Sequence, residues 1–304
     1  MIHTFINQQL PTIILALILG LSLGTDSDTD HSESIRFNIP DTHLTGGFAV
    51  GTQAYTFNRF TVFEAIEMTA KAGGRVIELF PGQRLQSGDD SPRFTPNSSD
   101  EVITRVKQKL DEHDLIAVNY GNVRLPNNEE ELRQVFEFAK KLGVKAVTSE
   151  PAPDAMDLIE EMVKEYDIAL AIHNHPPRPN NPDYNHWNPE YILGMIEGRD
   201  PRIGVSADIG HYIRSDIDPV DALQLVEGRI VSMHFTDVDQ WGADGEDTFA
   251  GTGVADLPAV LSELKRQNFG GNISIEYEAN WYENVTDVAQ FIGFIRGWAE
   301  TSDL

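Results

Sequence analysis

From Thr45 onward, short runs of aliphatic and β-branched residues alternate with longer amphipathic stretches to the end of this 304-residue chain. FAVGTQAY (48–55) reads as a strand, and the helix after it opens at Thr61-Val-Phe-Glu64, a capping-box spacing, and closes at Gly73-Gly74. VIELF (76–80) precedes a helix near 99–112, with Ser98 and Glu101 again at capping-box spacing. IAVNY (116–120) leads into a helix from Asn128 to Leu142, with Leu132, Val135, Phe136, Ala139 and Leu142 on one face. AVTSE (146–150) precedes a helix over 155–166 capped by Asp154, and IALAIH (168–173) precedes one near 189–197. After IGVSAD (203–208), Asp218-Pro219 places an N-cap before a proline at the first helical position. IVSMHF (230–235) and NISIE (272–276) lead into helices at 257–267 and 285–300, which makes eight strands and eight helices.

Short apolar strands that each feed an amphipathic helix require a parallel sheet covered by helices. Eight such units fit the usual length of a closed barrel. The fold class expected is therefore α/β, a single (β/α)8 TIM barrel over residues 46–304. An open doubly wound sheet is the competitor, but its glycine-rich fingerprint is missing after the first strand, where the chain reads GTQAYTF.

Ahead of the barrel, Ile13 to Leu23 (IILALILGLSL) form an apolar run of signal-peptide length, short for a membrane span. No Lys or Arg precedes it, so an uncleaved hydrophobic anchor is the alternative. We expect residues 1–24 to be a signal peptide and 25–45 an acidic linker. The mature protein would then be periplasmic or secreted, with no stable membrane insertion after cleavage.

The net charge of −25 opposes binding of nucleic acid, which needs clustered Lys and Arg, and no such cluster is present. The chain has no cysteine, which excludes disulfides, thiolate metal sites and Cys nucleophiles.

Polar residues that can bind metal stand at the ends of the predicted strands: Glu78, Glu150, His173, Asp208, His234 and Glu276. In a barrel, strand ends converge on one mouth, so residues far apart in sequence meet there. His175 follows His173 in an H-N-H run, on the same side of the strand by alternation, and His211 follows Asp208 in a D-x-x-H pair. The bland alternatives are a core histidine at 234, a buried salt-bridge partner at Glu276, and for Glu78 an interior ion pair with Arg75 or Arg84.

Several segments resemble the xylose isomerase-like TIM barrels of the sugar phosphate isomerase/epimerase family, relatives of endonuclease IV, inosose dehydratases and ketose 3-epimerases. They are VIELFPG (76–82), AIHNHP (171–176), ADIGH (207–211), VSMHFTDV (231–238), GTGVADLP (251–258) and ISIEYE (273–278). The resemblance covers about residues 46–300. It implies one divalent metal ion held by a carboxylate ending strand five, the Asp of D-x-x-H, a His ending strand seven and a Glu ending strand eight. These positions fall on His173, Asp208, His234 and Glu276. His173 stands where many relatives carry Glu, so Glu150 joins the set as a ligand or as a partner of one. Thr236 stands where relatives with H-x-K-D-V carry Lys.

Imidazole and carboxylate ligands without thiolate suit Mn, Zn, Fe, Co or Mg. Such an ion can hold a sugar carbonyl and its neighbouring hydroxyl and stabilise the enediolate left when the adjacent C–H is deprotonated. His211, His175, Glu78 and Glu150 are the candidates for the base. The expected function is a metal-dependent sugar isomerase/epimerase with a small carbohydrate substrate. A lyase or dehydratase cleaving a 3-keto-sugar or 3-keto-glycoside by β-elimination is the alternative, and a non-catalytic sugar-binding barrel the alternative of another class. A nuclease of the endonuclease IV type needs extra metals and a basic face, which the charge opposes. Asp244, Glu246 and Asp247, after strand seven, predict an unphosphorylated substrate.

Overall fold

The computed structural model describes residues 35–302, so the expected signal peptide and residues 25–34 of the expected linker lie outside the described residues. Eight strands form in chain order: β1 (Phe48–Gln53), β2 (Val76–Leu79), β3 (Ile116–Tyr120), β4 (Ala146–Ser149), β5 (Ala169–His173), β6 (Ile203–Asp208), β7 (Ile230–Phe235) and β8 (Asn272–Ile275). Each pairs in parallel with its sequence neighbours, and β8 pairs with β1, closing the barrel. No strand edge is left within the ring, and all strand C-termini open on the same face.

The helices are α1 (Val62–Ala72), α2 (Asp100–Glu112), α3 (Glu129–Leu142), α4 (Met156–Tyr166), α5 (Pro189–Ile196), α6 (Ile209–Arg214), α7 (Pro219–Leu225), α8 (Leu257–Arg266) and α9 (Val285–Thr301). Thr61 makes the full capping box with Glu64, and Asp218 accepts from the backbone N–H groups of Val220 and Asp221. Two expected caps fall elsewhere. Ser99, rather than Ser98, caps α2, because the Ser98 hydroxyl is taken by the N–H of Thr95. Asp154 lies inside a 3-10 turn, Pro153–Ala155, so α4 starts one residue past it with no side-chain cap. The ninth helix, α6, grows directly from β6 where a loop was expected.

The barrel interior is apolar at its lower end and polar towards the mouth. Small residues Ala146, Ala169 and Ala171 with Val231 leave room for Ile35 and Phe37, and Phe37 also meets Ala49, Val76 and Val118. The stretch 35–45, expected as linker, thus fills the lower end, with Phe37 donating its N–H to Gly270 O at 2.9 Å and Leu44–Thr45 pairing antiparallel with β1. Higher up, the interior carries Glu78, Asn119, Ser274, His173 and His234, all buried. No described helix is long and apolar enough to cross a membrane.

Candidate metal centre and active site

β5, β6 and β7 end side by side, which puts His173, Asp208 and His234 on adjacent strands, and Glu276 directly follows β8. One ligand atom from each of these four residues lies within 4.8 Å of the others. Asp208 holds this position with both ends of its residue. Its Oδ1 caps α6 by accepting the N–H of His211 at 2.7 Å, which leaves Oδ2 towards His234 Nδ1 at 3.7 Å. Its backbone is clamped by Asn174, whose Oδ1 accepts the Asp208 N–H at 2.8 Å and whose Nδ2 donates to Asp208 O at 3.0 Å.

The cluster has the chemistry of a cation site. His234 Nδ1 stands 2.7 Å from Glu276 Oε2, but neither it nor the buried His173 Nδ1 makes a well-aligned hydrogen bond among the described residues. A buried His173 nitrogen without a hydrogen bond, beside a His234 nitrogen poorly aligned with its carboxylate, costs free energy that a bound cation would recover. Ligands held ~2.0–2.2 Å from a metal can be at most about 4.4 Å apart, and the four atoms already lie within 4.8 Å of one another. Two imidazoles and two carboxylates therefore fit a divalent ion.

Glu78 sits beneath this cluster and does not reach the mouth. Fully buried, it meets His234 Nε2 at 3.1 Å through Oε2 and accepts from Ser274 Oγ at 3.2 Å. The expected role as a base is thus not open to it in this position, nor is the ion pair with Arg75 or Arg84, which approach Asp114 and Asp89 instead. It fixes the hydrogen of His234 on Nε2 and turns Nδ1 to the cluster. Burial opposes protonation of His234, but Glu276 and Glu78 outweigh it and hold the ring well above the usual imidazole range. His173 goes the other way, with burial and then the neighbouring His175 and His234 holding it well below that range.

A second group borders the first. His173, His175 and His211 also offer nitrogens within 4.8 Å of one another, and the rings of His175 and His211 stack at 4.6 Å. Glu150 stands outside the four-residue set. Its Oε1 contacts His175 Nδ1, and Arg178 Nη2 donates to its Oε2 at 2.9 Å. Burial would raise the Glu150 pKa, yet His175 and Arg178 bring it below the usual carboxylate range, while the same contact raises His175 against the effect of its own burial. Burial, with His175 and Arg214 adding to it, drives His211 down to about 3.

Sequence reasoning missed several residues that build this mouth. Arg214 donates to Gly245 O at 3.0 Å and to His211 Nδ1 at 3.4 Å, and pairs with Asp247, which also accepts the N–H of Glu278. Reading α6 as a helix would have placed Arg214 beside His211 at i+3. Asp237 joins two of the motif segments, accepting the N–H groups of Gly251, Gly253 and Ala255 at 2.9, 3.0 and 3.1 Å. A Cβ at Gly253 would lie 2.3 Å from Asp237 Oδ1, so this turn requires glycine. Tyr55, Phe80 and Trp281 form an edge-to-face wall above β1, β2 and β8, with centroids 4.9 and 5.9 Å apart. Burial and the charges of Glu278 and Glu276 raise the Tyr55 phenol. Of the loop acids, Asp244 and Glu246 are exposed, whereas the side chain of Asp247 is buried against Arg214. Thr236 is buried, and its hydroxyl has no partner among the described residues.

The model of the xylose isomerase-like TIM barrel family matches residues 66–297. The chain belongs to this family. Among solved structures of similar fold is a putative uncharacterized protein from Parabacteroides distasonis, 32% identical, with 83% of this chain and 99% of that one covered at a TM-score of 0.64. A D-tagatose 3-epimerase-like protein is 17% identical, with 84% and 98% covered at a TM-score of 0.65. A D-allulose 3-epimerase from Methylomonas sp. is 15% identical, with 83% and 98% covered at 0.62. The likeness to the last two is one of fold. No curated protein sequence matches the chain. Within the xylose isomerase-like family, the mouth of the barrel is where this chain gathers its titratable groups.

Proposed function

We propose that this xylose isomerase-like barrel is a divalent-metal-dependent sugar isomerase or epimerase that abstracts a proton next to a carbonyl. The observation that carries this reading is the convergence of His173, Asp208, His234 and Glu276 on one cradle, with the stacked imidazoles of His175 and His211 at its edge. The epimerases named among the neighbouring folds add support. Bound in the cradle, a divalent cation would supply Lewis acidity to nearby sugar oxygens. Glu78 turns His234 towards it, Asn174 fixes the backbone of Asp208, and the stacked His175 and His211 are the groups we assign to taking and returning the proton. The wall of Tyr55, Phe80 and Trp281 offers aromatic surface to the C–H face of a sugar.

An unphosphorylated substrate fits the charges of this mouth. Glu276, Asp247 and Glu150 supply carboxylates, and two arginines of the mouth, Arg178 and Arg214, are already paired with Glu150 and Asp247. A phosphate dianion would meet carboxylates there, whereas sugar hydroxyls can donate to them. We further propose handling outside the cytoplasm, on the apolar run at 13–23.

Incubation of metal-loaded protein with a panel of ketoses and keto-glycosides in D2O tests the reading. Solvent deuterium at carbon is expected, and product analysis separates an isomer from an elimination product. Absence of exchange across the panel would overturn it. A higher kcat/KM for a sugar phosphate than for the free sugar would overturn the substrate class.

A further inference from the structure

His175 and His211 lie ring against ring, 4.6 Å apart and 30° from parallel, yet their Nδ1 atoms have opposite partners. At His175 the partner is the carboxylate of Glu150, which also accepts from Arg178 Nη2 at 2.9 Å and Asn122 Nδ2 at 3.4 Å. A carboxylate flanked by such donors can only accept, so the hydrogen between them belongs to His175 Nδ1. At His211 the partner is Arg214 Nη1 at 3.4 Å. A guanidinium can only donate, so His211 Nδ1 must carry the lone pair. Arg214 is itself held from two other sides, by Gly245 O and Asp247. The absence of a side chain at Gly210 gives it room, since a Cβ there would lie 3.0 Å from Arg214 Nη1 and 2.4 Å from Thr236 Cγ2.

We propose that these partners lock the two stacked imidazoles in opposite tautomers, making His175 Nε2 a proton acceptor and His211 Nε2–H a proton donor at one substrate. Arg214 and Glu150 are then positioning residues that act through the rings. The catalytic part rests on the function proposed above, while the tautomers themselves do not. In the forward step the His175 Nε2 lone pair takes the proton from the carbon next to the carbonyl. The C–H electron pair becomes the new C=C bond, and the carbonyl pair moves to oxygen, which is met by the hydrogen on His211 Nε2. His175 then returns the proton on the same side to the other carbon while the neighbouring hydroxyl passes its proton to the former carbonyl oxygen, which restores both rings with no change of oxidation state. The opposed tautomers explain why two similar side chains are needed side by side: a single imidazole cannot present a lone pair and a hydrogen at the same atom.

Two-bond 15N–1H correlation spectra of the full-length protein labelled in its nine histidines and loaded with Zn2+ read the tautomers directly. His175→Gln and His211→Gln serve to assign the signals. Near neutral pH we expect the Nδ1–H pattern for His175 and the Nε2–H pattern for His211. The same tautomer at both rings, or metal coordination of both, would overturn the inference. Kinetics supply the second arm. Arg214→Met should lower kcat at least about tenfold with KM within about threefold and metal content unchanged, and Arg214→Lys should recover most of the loss. An unchanged kcat in Arg214→Met would overturn the donor role. Opposed tautomers in a protein that exchanges no sugar proton would leave the ring assignment standing and sink the isomerase reading instead.

Discussion

Glu78 Oε2 approaches His234 Nε2 at 3.1 Å in the interior of the barrel, so a carboxylate on β2 sets the direction in which an imidazole on β7 presents its other nitrogen. Such outer partners raise ligand basicity and fix ring orientation. Glu78→Gln should therefore keep the fold but weaken metal binding by about 10–100-fold, the usual scale for losing this kind of support. Competition against a chelator measures it, and unchanged affinity would show that Glu78 is a core residue only.

Asp208 and Glu150 separate the two candidate ligand sets. Asp208→Ala should lose both metal and activity, and because Asp208 also caps α6 it should cost about 1 kcal/mol of stability. Glu150→Gln should retain the metal, since Glu150 is engaged with His175 and Arg178 rather than with the cradle. Metal content by elemental analysis, beside thermal unfolding, decides between them. Loss of metal in Glu150→Gln would return that residue to the ligand set.

His211→Gln should keep the metal and lose at least about two orders of magnitude in turnover, the scale of general acid–base help. The contact at risk is small, because Gln can still accept from Arg214 while offering no ring hydrogen. Metal loss equal to that of Asp208→Ala would make His211 a ligand.

Metal affinity should depend on pH through one proton. His234 is held protonated above the ordinary imidazole range by Glu276 and Glu78, whose charges overcome its burial, whereas burial keeps His173 neutral well below that range. A cation taking one nitrogen from each must displace a proton from His234 and none from His173. The apparent affinity should rise by up to about tenfold per pH unit above ~6.5 and level off once pH passes the raised value of His234. Chelator competition at a series of pH values gives the slope. A slope of two protons over that range would contradict the assignment of His173.

Asp237 holds three backbone N–H groups of the 251–255 turn, and Gly253 leaves space for its carboxylate. Asp237→Ala strands those donors and should cost about 3 kcal/mol, while Gly253→Ala should cost about 1–3 kcal/mol through overlap with Asp237 Oδ1. Both should lower the unfolding temperature while metal binding survives. A neutral Gly253→Ala would show that the turn can relax.

The hydrophobic pattern by itself determined the barrel. Strand and helix periods, the Thr61 capping box and the Asp218-Pro219 start are local properties, written within a few residues of where they act. Strand ends inherit their position from that alternation, so Glu78, Glu150, His173, Asp208, His234 and Glu276 were legible as converging on the mouth, and the family resemblance pointed to the last four with Glu150 as a fifth candidate. What only the tertiary structure decided are the partnerships across the mouth. Glu78 lies 156 positions from His234, and Arg214 is 33 from Asp247. Which atom of an imidazole faces a carboxylate and which a guanidinium depends on the stagger of neighbouring strands and the start of a six-residue helix on Asp208. Residue spacing carries no record of either, because closing the barrel brings together side chains whose local sequences are independent of one another. The lower end was decided the same way: Ile35 and Phe37 are isolated apolar residues beside an acidic stretch, and only the small side chains of β4 and β5 reveal the space they fill.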